Sequence, residues 1–136
     1  MKESPWRRPR SLAEVAGSAT TYSDFGYHLK DFLHTVAETV RRGESIEPLL
    51  TAEPSRLCGQ FEEGQLCDAF LAGLADFLAR KHGFAPPAWA MSAGRALENP
   101  WFSEEFPQVR LRLLRDTPSA FKDRNIFIFE SALQVA

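Results

Sequence analysis

The residues that most often perform catalysis or bind metals are present in this chain, but their spacing does not bring them together. The three histidines are His28, His34 and His82. A separation of six residues places the first two on different faces of a helix, whereas a metal site on a helix needs a separation of three or four. We therefore predict imidazoles at or near helix surfaces and no metal ion.

The two cysteines, Cys58 and Cys67, do not form a zinc-binding pattern, because no second cysteine or histidine pair accompanies them. Proteins of the cytosol seldom contain disulfides. We predict two reduced thiols that pack as small apolar groups in a cytoplasmic protein.

Paired carboxylates occur at Glu62–Glu63 and Glu104–Glu105. Adjacent residues of a helix point apart, so neither pair converges on a substrate, and both are better explained as charges at helix starts. The chain has no Walker loop, nucleophile elbow, dinucleotide-binding glycine pattern or HExxH motif. We expect a protein that is not an enzyme and uses no cofactor; an enzyme of unrecognised type is the third hypothesis.

Arginine and aromatic residues alternate through the last third of the chain. The arginines could bind phosphate or a carboxylate-rich partner, or they could form a solvated rim paired with nearby acidic residues. The large aromatic side chains fill gaps between helices or anchor an interface, where Trp and Arg are favoured. The residues predicted for a protein-partner interface are Trp89, Trp101, Phe102, Arg110, Arg115, Arg124 and Phe127.

Residues 1–10 read as a flexible basic arm, with two prolines and four basic side chains. Arg7, Arg8 and Arg10 could follow a DNA groove, as basic arms do. Residues 11–16 loosely resemble the opening of a helix-turn-helix unit, although the turn that follows is too long and no recognition helix appears. A DNA-binding regulator is therefore the second hypothesis.

Length and composition predict one ordinary globular domain over residues 11–136. The chain has 136 residues, 44% apolar and 25% charged, with a net charge of −2 and a pI near 5.9. This balance is not that of a bulk nucleic-acid binder. No apolar run approaches the ~18 residues of a membrane span, so we expect no membrane association.

Hydrophobic periodicity predicts an all-α domain of about four main helices. Their predicted extents are 11–16 with Ser11 as cap, 23–42 with Ser23 as cap and Gly43 as terminator, about 60–81 with Gly83 as terminator, and about 103–116. Shorter helical turns are predicted at 46–50, at 94–99, after the cap Thr117 to about residue 123, and at 131–134. Within the main helices, Val40, Val109, Leu113 and Leu114 are predicted to face the core.

The β-branched and aromatic run 125–129 has strand propensity but no obvious partner. We predict an extended, aromatic-rich C-terminal segment that lies on the helices and is available for pairing with another chain.

The order of five segments resembles a family of small bacterial proteins. These segments are the helical run 70–79 (FLAGLADFLA), then residues 87–89 (PAW), then Asn99-Pro100-Trp101-Phe102, then residues 117–121 (TPSAF), then residues 124–128 (RNIFI). Genes of this family often neighbour a nucleotidyltransferase-like gene, and some of the pairs are treated as toxin–antitoxin modules. The resemblance implies a non-catalytic partner, either an antitoxin or an accessory subunit, that covers the cleft of a nucleotidyltransferase-like toxin. A homo-oligomer is also compatible with the sequence.

Overall fold

The computed structural model describes residues 8–134, and within that range the chain is rich in helix with one small sheet. The helices are α1 (Leu12–Ser18), α2 (Tyr22–Arg41), α3 (Glu47–Thr51), α4 (Gly64–His82), α5 (Pro107–Asp116) and α6 (Ser119–Lys122). The strands are β1 (Trp101–Phe102) and β2 (Ile126–Phe127), and 3₁₀ turns occupy Ala88–Met91 and Glu130–Leu133. The predicted mostly helical architecture with four longer helices is confirmed. None of the helices described is long and apolar enough to cross a membrane.

Local capping chemistry sets the starts of the first two helices. The Ser11 hydroxyl accepts a hydrogen bond from the Glu14 N–H at 3.1 Å, so α1 begins where predicted. The cap of α2 is Thr21 rather than the predicted Ser23. Thr21 and Asp24 form a reciprocal capping box, which satisfies two backbone donors and outcompetes the single serine.

Helix α4 begins at Gly64, later than predicted, because Glu63 adopts a left-handed φ of 69° and so lies outside the helix. The segment before the helix approaches its first turn very closely. A Cβ atom at Gly64 would contact the Leu57 carbonyl oxygen and lie 2.6 Å from the Leu57 carbonyl carbon. The absence of a side chain at Gly64 therefore permits this packing. The other end is as predicted, since Gly83 adopts a φ of 83° and closes the helix.

Three further boundaries differ from the predictions. Helix α5 starts at Pro107 rather than at residue 103, and residues 94–99 form turns and bends rather than a helical turn. Thr117 does not cap α6, whose N-cap position is taken by Pro118. Instead the Thr117 hydroxyl donates a hydrogen bond to the Leu113 carbonyl at 2.6 Å and closes α5.

Helix α4 is the centre of the core. Thirteen of its nineteen residues are buried, against α2 on one side and against α6 and the 88–91 turn on others. Gly73 lets the Phe121 ring lie directly on the helix, because a Cβ atom there would be 2.8 Å from Phe121 Cδ1. Val40, predicted to face the core from α2, is 45% exposed because it lies near the end of that helix.

The two strands pair in parallel, with Trp101 opposite Ile126 and Phe102 opposite Phe127. The run 125–129 therefore pairs within the chain, with a strand that the sequence did not predict. Successive side chains of a strand point to opposite faces. One face of this ribbon accordingly carries Trp101 and Ile126, and the other carries Phe102 and Phe127, so the C-terminal aromatic residues divide into two groups.

The close approach at Gly64 gives a first prediction. Gly64→Ala is expected to lower the free energy of unfolding by about 1–3 kcal/mol, because backbone must shift to admit the methyl group. Gly26→Ala is the matched control in α2: no atom lies within 4 Å of its Cβ position, so it is expected to stabilise the protein by up to about 1 kcal/mol. Urea unfolding of both variants measures the difference, and equal effects would contradict the packing described.

The thiols give a second prediction. Burial raises the pKa of Cys67 to about 12, whereas Cys58 is exposed, and both are free. At pH 8 the Cys67 thiol is therefore protonated and enclosed, and only thiolates react quickly with disulfide reagents. Ellman's reagent is expected to modify one cysteine in the native protein and both after denaturation. Rapid modification of Cys67 in the native chain would show that the core around α4 is open.

Candidate protein-docking surface

Arg124 is buried and joins three segments beneath the C-terminal third of the chain. Its Nη1 donates to Asp76 Oδ2 at 2.8 Å and to the Ala120 carbonyl at 2.7 Å, and its Nη2 donates to the Ala90 carbonyl at 2.8 Å. Arg80 binds the same carboxylate through Nε at 2.8 Å. Arg124 therefore belongs to the interior, which corrects its assignment to the partner interface.

A second buried carboxylate, Asp68, organises the segment before α4. It accepts hydrogen bonds from the N–H groups of Leu57 at 2.7 Å and Cys58 at 3.0 Å, and Arg95 Nη1 lies 3.7 Å from Asp68 Oδ1. Burial lowers the pKa of Arg95, and its Nε has no hydrogen-bond partner within residues 8–134. The Arg95 guanidinium also lies 5.0 Å from the Trp89 ring.

The two tryptophans of the predicted interface are placed differently. Trp89 is buried, and its Nε1 donates to the Leu50 carbonyl at 2.9 Å, so it fills the core rather than a partner surface. Trp101 is half-buried and forms one wall of an open apolar cleft of about 410 Å³ between α2 and α4. Tyr22 and Phe70 line the same cleft.

Phe102 and Phe127 form a stacked pair, with ring centroids 4.7 Å apart, on the ribbon face opposite Trp101 and Ile126. The Arg110 guanidinium lies 4.7 Å from the centroid of Phe102, and the Arg112 guanidinium lies 5.2 Å from that of Phe129. Phe127 is buried beneath this arrangement. Both arginines thus hold α5 against the aromatic ribbon through cation–π contacts, and Phe127 is a support rather than a contact residue.

Helix α5 carries leucines on both of its faces. Leu113 points inward and is the one buried residue among its ten. Pro107, Leu111 and Leu114 recur at steps of four and three, which places them together on the outer side. Leu111 is 68% exposed and Leu114 is 47% exposed, which overturns the prediction that Leu114 faces the core. Phe106, at the start of the helix, is 70% exposed.

The charge of α5 contrasts with that of the whole chain. The helix contains three arginines and one aspartate, whereas the protein has a net charge of −2. Arg115 is exposed and binds the adjacent Asp116 at 2.7 and 3.0 Å, and these hydrogen bonds lower the pKa of Asp116. We call Leu111, Leu114 and Arg115 the outer face of α5; exposed Phe106 lies directly before the helix. The outer face is an apolar stripe bordered by positive charge.

The predicted DNA arm is described only in part. Arg7 lies outside the described residues, while Arg8 and Arg10 are exposed. The backbone between them is attached to the domain, because the Thr35 hydroxyl donates to the Pro9 carbonyl at 2.9 Å. The Arg10 N–H donates to the Glu14 carboxylate at 3.0 Å. The described end of the arm therefore lies against α1 and α2.

Among residues 8–134, no group of three or more histidine, cysteine, aspartate or glutamate side chains lies close enough together to hold a metal ion. No protein-family model, curated protein or solved structure matches the chain. We therefore infer the function from the geometry of the surface.

Sequence reasoning missed the residues that matter most on that surface, Phe106, Leu111 and Leu114. The available signal was the placement of leucines on opposite sides of one helix in the run 110–115, RLRLLR. A helix that packs against the core by one face alone needs apolar residues on that face only, so leucines on two sides indicate a second, exposed apolar face. Sequence reasoning also missed Asp68 and Asp76, whose separation of eight residues places two carboxylates on one side of α4, with only apolar residues and a glycine between them in the sequence.

The buried and exposed arginines give a third prediction. Arg124→Ala is expected to cost about 3–5 kcal/mol of folding free energy, because it leaves the buried Asp76 with one of its two arginines. Arg115→Ala, the same substitution on the exposed surface, is expected to leave the urea midpoint unchanged. A stable, well-folded Arg124→Ala protein would contradict a structural role for this side chain.

Proposed function

We propose that this protein is a non-catalytic binding partner that docks through the outer face of α5 onto an apolar groove bordered by acidic groups. The observation that carries the proposal is the exposure of Leu111 and Leu114, three residues apart on one helix, with exposed Phe106 directly before the helix. Burying a leucine side chain is worth about 1.5–3 kcal/mol, so a surface that leaves two exposed is suited to bury them in a complex.

The attachment of α5 also favours docking. Leu113 and the cation–π contacts of Arg110 and Arg112 hold the helix in place, so little conformational freedom is lost on binding. Amphipathic helices commonly bind an apolar groove through residues spaced by three and four. Arginine at the edge of such a stripe is a favoured contact residue.

The family resemblance suggests which partner to test first, namely the nucleotidyltransferase-like protein encoded beside such genes. In that role the protein is antitoxin-like or an accessory subunit, and α5 covers an acidic cleft of the toxin. Leucines and Arg115 make the contacts, while Phe102 and Phe127 support the helix from below.

A fourth prediction tests this function. Leu111→Glu/Leu114→Glu is expected to weaken binding of the nucleotidyltransferase-like partner at least about 100-fold, since two apolar contacts are replaced by charges facing acidic groups. Isothermal titration calorimetry measures the affinity, and circular dichroism confirms folding. Val40→Glu, at another exposed apolar residue, is the control and is expected to bind normally. Undiminished binding by the double variant would refute docking through α5.

A further inference from the structure

The cleft beside Trp101, between α2 and α4, is open to solvent and is built from apolar groups. Phe25, Leu29 and Leu66 are buried residues of its lining, and the half-buried side chains of Phe70 and Trp101 border it. None of the eight residues that line it is charged. A charged group that entered the cleft would lose its hydration without gaining an ion pair, so the lining favours an uncharged occupant.

Three aromatic rings border this cleft without pairing with one another. Tyr22, Phe70 and Trp101 form no ring contact among themselves within residues 8–134, although the Phe70 ring lies 5.1 Å from that of Phe121. Aromatic rings attract one another in stacked or edge-to-face arrangements. The cleft therefore offers aromatic surface to a planar ring from outside the chain.

Gly26 keeps one wall of the cleft open. Tyr22, Gly26 and Leu29 are spaced by four and three residues, which places them on the same side of α2, and no atom lies within 4 Å of the Cβ position at Gly26. A glycine inside a helix is unfavourable relative to alanine. Close packing within the described chain explains Gly64 and Gly73 but not Gly26. The missing side chain at Gly26 instead leaves space in the cleft.

The lining also carries polar groups that can orient a ligand. They are the hydroxyls of Tyr22 and Ser23 and the indole N–H of Trp101, and none of the three hydrogen-bonds to another residue of the described range. Burial raises the pKa of Tyr22, so its hydroxyl is protonated at neutral pH and can donate a hydrogen bond. A ligand with a carbonyl oxygen would supply the acceptor that these donors lack.

We propose that this cleft binds a small, uncharged, planar aromatic molecule that carries a hydrogen-bond acceptor. The cleft volume of about 410 Å³ falls within the range of small-molecule sites, about 300–1,000 Å³. Its eight lining residues are too few for a protein partner, because a stable protein interface uses about 20–30 residues on each side. The site is separate from the outer face of α5, since Trp101 and Phe102 point to opposite faces of the ribbon.

Our fifth prediction uses Prodan, an uncharged naphthalene with a carbonyl group, whose fluorescence shifts to shorter wavelength in apolar surroundings. The full chain, titrated into the probe up to about 500 μM, is expected to bind it with a dissociation constant on the order of 100 μM. Gly26→Leu fills the cleft and is expected to raise this constant at least about tenfold. Gly17→Leu is the matched control, because Gly17 lies in α1 with equally open surroundings and outside the cleft, and it is expected to bind normally.

The hydroxyl of Tyr22 is tested separately. Tyr22→Phe is expected to weaken Prodan binding about three- to tenfold, because the carbonyl of the probe loses a donor. Tyr27→Phe removes the same group from an exposed tyrosine of α2 outside the cleft and is expected to leave binding unchanged. Equal binding by Tyr22→Phe and the wild type would overturn the requirement for an acceptor.

Circular dichroism confirms that each variant is folded. Gly26→Ala adds one methyl group and is expected to bind with an affinity between those of the wild type and Gly26→Leu, so it tests the site even where leucine disturbs folding. No wavelength shift with the wild-type chain, or equal binding by the Gly26 variants, would overturn the inference. Loss of Prodan binding in Leu111→Glu/Leu114→Glu would also overturn it, because the probe would then lie on α5.

Binding of the nucleotidyltransferase-like partner by Gly26→Leu is measured in parallel and is expected to equal that of the wild type. Loss of that binding would make the cleft part of a protein interface and would overturn the inference. A chain that binds Prodan but not the partner leaves the ligand site standing without the proposed function. A chain that binds the partner but not Prodan leaves only the proposed function standing.

Discussion

The structure depends on a helix that is buried on nearly every side and yet carries two carboxylates. Asp68 and Asp76 are both fully buried in α4, and an unpaired buried charge is far too costly to persist. Each carboxylate must therefore be surrounded by hydrogen-bond donors or positive charges. Asp68 takes backbone N–H groups of the segment before the helix and faces Arg95, and Asp76 takes Arg80 and Arg124. These contacts attach three segments to the core: the segment before α4, the loop that contains Arg95 and the C-terminal segment that contains Arg124.

The position of α5 follows from the same constraint. Arg124 ties α6 and the 88–91 turn to Asp76, so the strand that follows Arg124 has to begin beside α4. That strand pairs with Trp101–Phe102, and the ribbon turns Trp101 toward the core and Phe102 away from it. Two arginines of α5 lie over aromatic rings of this region, Arg110 over Phe102 and Arg112 over Phe129. Because Leu113 is the one buried residue of the helix, the side that carries Leu111 and Leu114 is left to solvent.

The fold was predictable to the extent that local chemistry decides it. The stripes of α2 and α4, the Ser11 cap and the glycine at 83 were all readable, because each depends on residues within one or two helical turns. The errors have two causes. Gly64 and the 125–129 run take their roles from segments that are distant in sequence, and no local pattern predicts such neighbours. At Ser23 and Thr117 the error was local, because Thr21 made the cap in place of Ser23 and the Thr117 hydroxyl bound the preceding helix instead of the next one. The prediction of the interface was the least accurate part. Trp89 and Arg124 are residue types that are common at interfaces, but the structure buries both of them in the core.

The sequence by itself determined that this is a mostly helical chain, where its main helices lie, and that arginine and aromatic residues are concentrated in its last third. Only the tertiary structure decided which of those residues face outward. Burial is a property of the whole packed arrangement: the same arginine is a buried ligand for Asp76 at position 124 and an exposed cation at position 115. Likewise Leu113 and Leu114 are neighbours in sequence, and the rotation of about 100° between successive residues of a helix puts one in the core and the other in water.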